Sequence, residues 1–449
     1  MLLAALVLLA NCAQNRPEPP SPVPTSTATA TAAPVGTPIP ATPTVYARQP
    51  KPAKGAGSES SQTPLPSPKD LDVTELVAGN HAFAFDFYHQ LKANEGNLLF
   101  SPYSISAMAA MAFAGARTGT EQQMASTLHY TLPQSRLHPA FHALAQELAR
   151  RSEATTVRTG EGFQLRVVNG TWGQAGYTLL PGFLDVLAGN YGADLSLLDF
   201  ANAPEASRLA INRWIQDQTQ GRLTEFLAPG TIDSSTHLIL ADVVYFNASW
   251  QDPFDPGDTR KRTFRLLDGD RVRVPMMAST ESRHYLIGEG VQGVELPYVG
   301  GEMSMVLLMP DSSTFEAFEN SLDAQQVHTL LAQLDWGKVN LTLPRFQYRS
   351  DFDLAGVLSR MGMPLAFSWP GADFSGMTGS PELFIDEMVH KTFISVDEAG
   401  TEAAAATAGL MAPGISEPVK ITIDRPFLFL IRDTETATIL FIGRVLDPR

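Results

Sequence analysis

Apolar positions in the first part of the chain recur at helical spacing. Residues 77–93 place alanine, phenylalanine and leucine close to a 3.6-residue period, which predicts an amphipathic helix. Residues 104–115 are almost all small and apolar, and this pattern predicts a helix buried on every side. Residues 120–124 and 146–153 are polar and predict surface helices.

Strand patterns dominate the second half of the chain. The unbroken apolar run 238–246 predicts a long central strand buried on both faces. Because most helices precede most strands, the sequence predicts an α+β fold rather than alternating βαβ units. The other strand-like runs are 165–172, 271–276, 293–296, 303–309, 340–343, 390–396 and 439–444.

The most unusual stretch, residues 398–418, lies between the strand-like runs 392–396 and 425–431. A loop this long inside a compact domain is usually functional or disordered. The small side chains of residues 401–408 would let the segment enter between two strands of a sheet. A surface helix or linker is the alternative, because Thr401 could cap a run of strong helix formers.

Composition limits the classes of partner. The chain has 449 residues, a net charge of −15 and a pI near 5.0. Its longest basic block is Arg260 to Arg262, which argues against a nucleic-acid partner.

The first twelve residues are an apolar run that ends at Cys12, the chain's single cysteine. This run is too short to span a bilayer, and it resembles a bacterial lipoprotein signal with an acylated Cys12. Asn11 and the lack of a preceding basic segment depart from that pattern; an ordinary cleaved signal is the alternative. Either interpretation predicts export, to the extracellular space or to the cell surface with Cys12 anchored on the outer face of a bacterial membrane.

Residues 13–70 are rich in proline, threonine, serine and alanine, a composition that cannot bury enough apolar area to fold. We therefore predict three parts: a signal segment 1–12, a disordered tether 13–70 and a folded domain 71–449. About 380 residues are enough for one large core or two fused ones.

Signs of catalysis or of metal binding are few. The sequence has no HExxH, GxSxG, phosphate-binding glycine loop or cysteine pair. His138 and His142 stand four residues apart but lack an acidic or cysteine neighbour, and the aspartates between Asp252 and Asp258 fit a proline-rich turn better than a calcium loop. We predict no metal, no cofactor and no enzymatic activity.

Several segments resemble the serpin family of serine protease inhibitors. Residues 397–407, Asp-Glu-Ala-Gly-Thr-Glu-Ala-Ala-Ala-Ala-Thr, resemble the hinge of the reactive-centre loop of inhibitory serpins. The resemblance covers residues 71–449 and implies helices packed on three β-sheets, with a large central sheet A and an exposed reactive-centre loop. The other matching segments, in order, are 97–105, 211–221, 244–250, 373–376, 425–432 and 439–448.

The resemblance also implies a mechanism. A serine protease attacks the loop, and before the acyl-enzyme is hydrolysed the cleaved loop inserts into sheet A as a new strand, so that the protease is trapped in a covalent complex. Small residues at Thr401, Ala403, Ala405 and Thr407 suit the positions that turn into the core. The family default is a monomer. The hinge residues implied are Glu398, Gly400, Thr401, Glu402, Ala403, Ala404, Ala405, Ala406 and Thr407.

The family's usual offset from Glu398 places the scissile bond between Gly414 and Ile415, with Met411 and Ala412 as competing sites. Residues 400–413 would then insert. Because the candidate residues before the bond are small or unbranched and neutral, we expect an elastase-like or subtilisin-like protease rather than a trypsin-like one.

Two further regions follow from the resemblance. Trp250 matches the family's breach, at the end of the third strand of sheet A. The shutter residues implied are Ser101, Ser104, Asp242 and His390, and Asp242 stands where the family usually has asparagine. We expect Asp242 and His390 to form a buried ion pair that favours an imidazolium; a neutral swap solvated by water is the alternative.

Two other classes of function stay open at the sequence level. A non-inhibitory serpin-fold binding protein of the cell surface would have its loop cleaved without forming a stable complex, although the alanine-rich hinge argues against it. A surface hydrolase or substrate-binding lipoprotein would need a convergent cluster of acid, base or ligand-binding residues, and the sequence offers none.

Overall fold

The computed structural model describes residues 71–159, 164–219, 221, 223–401 and 417–449. Within these ranges no helix is both long enough and apolar enough to cross a membrane. The helices are α1 (Leu71–Leu91), α2 (Pro102–Phe113), α3 (Thr118–Thr127), α4 (Gln134–Thr159), α5 (Pro181–Tyr191), α6 (Pro204–Gln218), α7 (Phe315–Ser321), α8 (Ala324–Ala332), α9 (Leu354–Met361) and α10 (Ser375–Thr378). The strands are β1 (Leu98–Phe100), β2 (Gln164–Gln174), β3 (Leu195–Leu198), β4 (Leu238–Ser249), β5 (Arg260–Arg265), β6 (Arg271–Gly288), β7 (Val291–Pro297), β8 (Met303–Pro310), β9 (Asp335–Pro344), β10 (Phe346–Asp353), β11 (Glu387–Val396), β12 (Gly400–Thr401), β13 (Val419–Thr422), β14 (Phe427–Asp433) and β15 (Ile439–Val445).

The α+β class predicted from the sequence is confirmed, and the two strongest local patterns correspond to α2 and β4. Every residue of α2 is buried, as its small apolar composition predicts. The helix begins where the Ser101 side chain accepts a hydrogen bond from the Ser104 backbone N–H and Pro102 occupies the first turn.

The six-stranded sheet runs in the order β10, β11, β12, β4, β2, β3. Its centre is β4, whose alternate residues enter two different cores. Leu240 and Val244 face the main core, which includes α2, whereas Ile239 and Val243 pack in a second core with residues of α6. This two-sided burial is the reason why β4 reads as a continuous apolar run.

The remaining nine strands form a second sheet, so the described residues contain two hydrogen-bonded sheets rather than the three expected. The difference arises from β6, which is 18 residues long. Its first part pairs with β5, its central part pairs with β9, and its last residues pair with β7. One continuous strand therefore joins what would otherwise be two separate sheets.

Candidate functional site

The candidate site is a split between β4 and β11. These strands pair in parallel from Glu387 opposite Ile239 to Thr392 opposite Val244. Beyond that point they separate, and β12 occupies the gap, with Gly400 opposite Ser249 and Thr401 opposite Ala248. Thr401 lies in a strand, and the residues that would form the alternative helix, 402–408, lie outside the described ranges.

A tight turn brings β12 back against β11. The Asp397 side chain accepts hydrogen bonds from the backbone N–H groups of Ala399 at 2.9 Å and Gly400 at 3.3 Å. A side chain at Gly400 would not fit, because its Cβ would lie 2.2 Å from the carbonyl oxygen of Ala248. The backbone of the hinge therefore lies directly against β4 at this position.

Trp250, the predicted breach residue, supports this turn. Its indole N–H donates to the carbonyl of Asp397 at 3.0 Å, and its backbone N–H donates to Ala399 at 2.9 Å. The ring stacks on Tyr298 with centroids 4.6 Å apart. Tyr298 in turn shares a 2.7 Å hydrogen bond with the hydroxyl of Thr401, which is buried.

A second set of contacts, through Glu398, anchors the start of the hinge. Its carboxylate accepts hydrogen bonds from the Thr259 hydroxyl and from the guanidinium of Arg345, whose Nε lies 2.7 Å away. Burial raises the pKa of Glu398, but the bonds from Arg345 and Thr259 outweigh burial and hold the pKa below its usual value. Three partners of the hinge were not predicted from the sequence: Tyr298, Thr259 and Arg345. Each is more than 50 residues from its hinge partner, and no local pattern marks it.

The four predicted shutter residues lie together where β4 and β11 are still paired. Nδ1 of His390 is 2.7 Å from Oδ2 of Asp242, and the Ser104 hydroxyl donates to the same oxygen at 2.6 Å. The backbone N–H of Ser101 donates to Nε2 of His390 at 3.1 Å. The side chains of Asp242 and His390 are both 0% exposed.

This geometry corrects the expected imidazolium. A ring nitrogen that accepts a hydrogen bond carries no proton, so Nε2 of His390 is bare and the ring is the neutral Nδ1–H tautomer. His390 therefore donates one hydrogen bond to Asp242 without supplying a compensating positive charge. The other carboxyl oxygen, Oδ1, is buried and has no hydrogen-bond partner in the described part of the chain.

A partly buried carboxyl group lies at the end of the β4–β11 pairing that is farthest from β12. Glu387, at the start of β11, has its pKa raised to about 7, first by burial and then by the negative charges of Asp353 and Asp386. Any strand that extended fully from β12 between β4 and β11 would reach this level.

The remaining predicted site residues lie outside the described ranges. They are Cys12, Glu402, Ala403, Ala404, Ala405, Ala406, Thr407, Met411, Ala412, Gly414 and Ile415.

The histidines four residues apart have separate partners. His138 Nδ1 lies 2.7 Å from the hydroxyl of Tyr191, and His142 Nδ1 lies 3.3 Å from the carbonyl oxygen of Asn190. Among the residues with described positions, no three His, Cys, Asp or Glu side chains are grouped closely enough to hold a metal ion.

Comparisons of the sequence and of the structure with known proteins point to the same family. Residues 78–448 match the family described as Serpin (serine protease inhibitor). The human leukocyte elastase inhibitor is 38% identical over 83% of this chain and all of its own, and an uncharacterised serpin-like protein of Thermococcus kodakarensis is 37% identical over 82% of this chain and 85% of its own. The native structure of Tengpin, a thermophilic serpin, superposes with a TM-score of 0.74 at 28% identity, covering 83% of this chain and 94% of that one.

We expect Asp242→Asn to raise the free energy of unfolding by about 1–2 kcal/mol, measured by urea denaturation at pH 7. The asparagine oxygen keeps both accepted hydrogen bonds, and the substitution removes a buried negative charge that has no cation beside it in the described part of the chain. As a control, Asp242→Ala leaves Ser104 and His390 without an acceptor and should lower the unfolding free energy by about 2–3 kcal/mol. A loss of stability in Asp242→Asn would show that the buried charge is compensated.

The raised pKa of Glu387 predicts a pH dependence of stability. Because the folded protein holds this proton up to a higher pH than the unfolded chain does, stability should fall as pH rises from about 4.5 to about 7. Glu387→Gln should remove this slope and raise stability at pH 8 by about 1 kcal/mol, because solvent screens part of the unfavourable interactions of this partly exposed carboxylate. The measurement is the unfolding free energy of both proteins at pH 4.5 and at pH 8. An unchanged slope in the variant would contradict the prediction.

Proposed function

The chain belongs to the serpin family of serine protease inhibitors, and from that premise we propose that residues 402–416 are a bait that a serine protease cleaves. After cleavage, the new end of the loop enters the split between β4 and β11 while the protease is still bound as an acyl-enzyme. The chain thus acts as a suicide substrate, and its product is a covalent complex.

The observation that carries this proposal is the position of Gly400 and Thr401. They already form the first two residues of an added strand, antiparallel to β4. If the same register continues, each later residue pairs one position further down β4, and Met411 comes opposite Leu238, where β4 begins. Ten more residues thus replace the whole pairing between β4 and β11.

The register also fixes which side chains enter the core. Thr401 is buried opposite Ala248, so Ala403, Ala405 and Thr407 face the same core in the continued strand. Their small size suits these positions. Thr407 comes directly opposite Asp242, and its hydroxyl could supply the hydrogen bond that Oδ1 of Asp242 lacks.

We propose an elastase-like or subtilisin-like target. The relatives named leukocyte elastase inhibitor support the first choice. The residues before the candidate bonds, Gly414, Ala412 and Met411, are uncharged and unbranched, which suits the shallow or apolar specificity pockets of such enzymes better than a trypsin-like pocket. From its first twelve residues we further propose that the protein is exported and anchored through Cys12, and from its family that it is a monomer.

The full chain mixed with pancreatic elastase, and separately with subtilisin, should give a complex that survives denaturing electrophoresis. The mass of the released C-terminal peptide should place the cut after Gly414, with Ala412 and Met411 as the competing positions. Cleavage with no complex by either enzyme would instead favour a non-inhibitory binding protein, and a trypsin trapped with equal rate and stoichiometry would contradict the proposed specificity.

Thr401→Arg should convert the inhibitor into a substrate, because a guanidinium cannot be buried beside Tyr298 without an acidic partner. We expect loop cleavage at an unchanged rate and at least a tenfold loss of stable complex. Glu402→Gln is the matched control: the alternation places residue 402 on the opposite face, and this variant should trap protease as the wild type does. Equal trapping by Thr401→Arg would exclude insertion of the hinge.

A further inference from the structure

The hairpin formed by β5 and β6 has two faces of opposite character. One face carries Phe264 and Val274, which are buried in the main core. On the other face every residue of the two paired strands from 261 to 273 is exposed to solvent. Those residues are Lys261, Thr263, Arg265, Arg271 and Arg273.

This solvent face is strongly cationic in an acidic protein. The face carries four basic residues, Lys261, Arg265, Arg271 and Arg273, and no acidic residue, whereas the chain as a whole carries −15. Arg265 has an ion pair, with Asp424 at 3.1 Å. Lys261 and Arg271 have no acidic partner in the described ranges.

The strand register adds a repulsion that folding does not require. Arg265 lies directly opposite Arg271, and like charges at such a position destabilise a hairpin. Arg273 also donates to the carbonyl of Lys261 at 2.7 Å, which holds its guanidinium on this face. A concentration of positive charge of this kind attracts an external partner with negative charge.

The position of β5 indicates which partner. Thr259, immediately before β5, binds Glu398 at the start of the hinge. Arg265, the last residue of β5, binds Asp424 just after β13 through both backbone and side chain. The cationic face, about 20 Å long, therefore runs from Glu398, at the start of the hinge, to Asp424, just after β13, and these two residues flank residues 402–416 along the chain.

We propose that the solvent face of the β5–β6 hairpin is a docking surface for an acidic patch on the serine protease that attacks the neighbouring loop. This inference rests on the proposed function and deepens it: the loop sequence selects the bond, and the hairpin selects proteases by surface charge. Its effect is on the rate of encounter, because complementary charge steers association.

A polyanion such as a sulfated glycan fits this surface less well. Asp258 precedes β5, and Asp268 and Asp270 form the turn at the other end, so acidic side chains close the cationic face at both ends. A polyanion needs a basic track that continues across the surface, whereas a folded protein presents patches of limited size and mixed sign.

The test compares wild type with Lys261→Gln/Arg271→Gln, two residues with no ion pair in the described ranges. The control, Arg150→Gln/Arg360→Gln, removes the same charge from exposed sites on α4 and α9. The probes are subtilisin and the same enzyme succinylated on its lysines to make its surface acidic. The rate measured is total consumption of the intact loop, by complex formation and by cleavage together.

With succinylated subtilisin in about 25 mM salt, we expect the hairpin variant to react about three- to tenfold more slowly than wild type and control. The difference should vanish in about 1 M salt, where the screening length is near 3 Å. Unmodified subtilisin should show a smaller difference between the proteins.

Equal rates for the two double variants would overturn the docking surface while leaving suicide inhibition intact. A deficit that persists in 1 M salt would also overturn it, because the cause would then be altered structure. So would weaker binding of the hairpin variant to heparin-agarose with unchanged protease rates, which would assign the face to polyanions. If the loop is cleaved but never trapped, the proposed function fails and the rate ratio still decides the docking surface; if neither protease attacks the loop, both fail.

Discussion

The pairing of β4 with β11 is the interaction on which the rest of this structure depends. These strands must be hydrogen-bonded below Thr392 and parted above it, because Gly400 and Thr401 lie between them at the top. A sheet that was fully closed would exclude the hinge, and a sheet that was fully open would leave two rows of buried backbone groups without partners. The tight turn at Asp397, the Trp250 and Tyr298 stack and the Glu398 anchor all hold the chain at this branching point.

The side chains at the junction explain how the sheet can stay closed without being locked. A purely apolar contact between α2 and the sheet would resist separation over its whole area. Instead, a carboxylate, a neutral imidazole and two serines meet where β4 pairs with β11, and one carboxyl oxygen has no partner in the described structure. Such a group contributes less to the closed state than a fully satisfied network would. Under the proposed mechanism, such a native state would be maintained by the barrier to opening, in the sense of kinetic stability.

Local sequence patterns predicted the helices and strands whose burial is visible in a run of consecutive residues. The buried helix α2 and the central strand β4 follow from unbroken apolar runs, and the class of fold follows from the order of helices and strands. Contacts across long sequence separations did not follow: Tyr298 and Thr401 are 103 residues apart, and neither has a neighbourhood that marks the other.

The shutter residues were named through the family resemblance rather than through spacing. The tautomer of His390 could not be predicted from the sequence, because only the position of the Ser101 N–H shows which ring nitrogen carries no proton. The continuity of β6 was hidden because its pattern of exposure changes along its length.

The pairing of β13 with β9 has a consequence for the connectivity of the chain. Residues 402–416 are held at one end by β12 and at the other by β13, which makes four register pairs with β9. To line β4 down to Leu238, the ten residues 402–411 would descend about 33 Å, and the seven residues before Val419 could span at most about 25 Å on the way back. An uncut chain can therefore line most but not all of the strand unless β13 detaches. Under the proposed mechanism, hydrolysis of one peptide bond removes this geometric limit completely, so full insertion of the strand would depend on the connectivity of the chain and not on any single side chain.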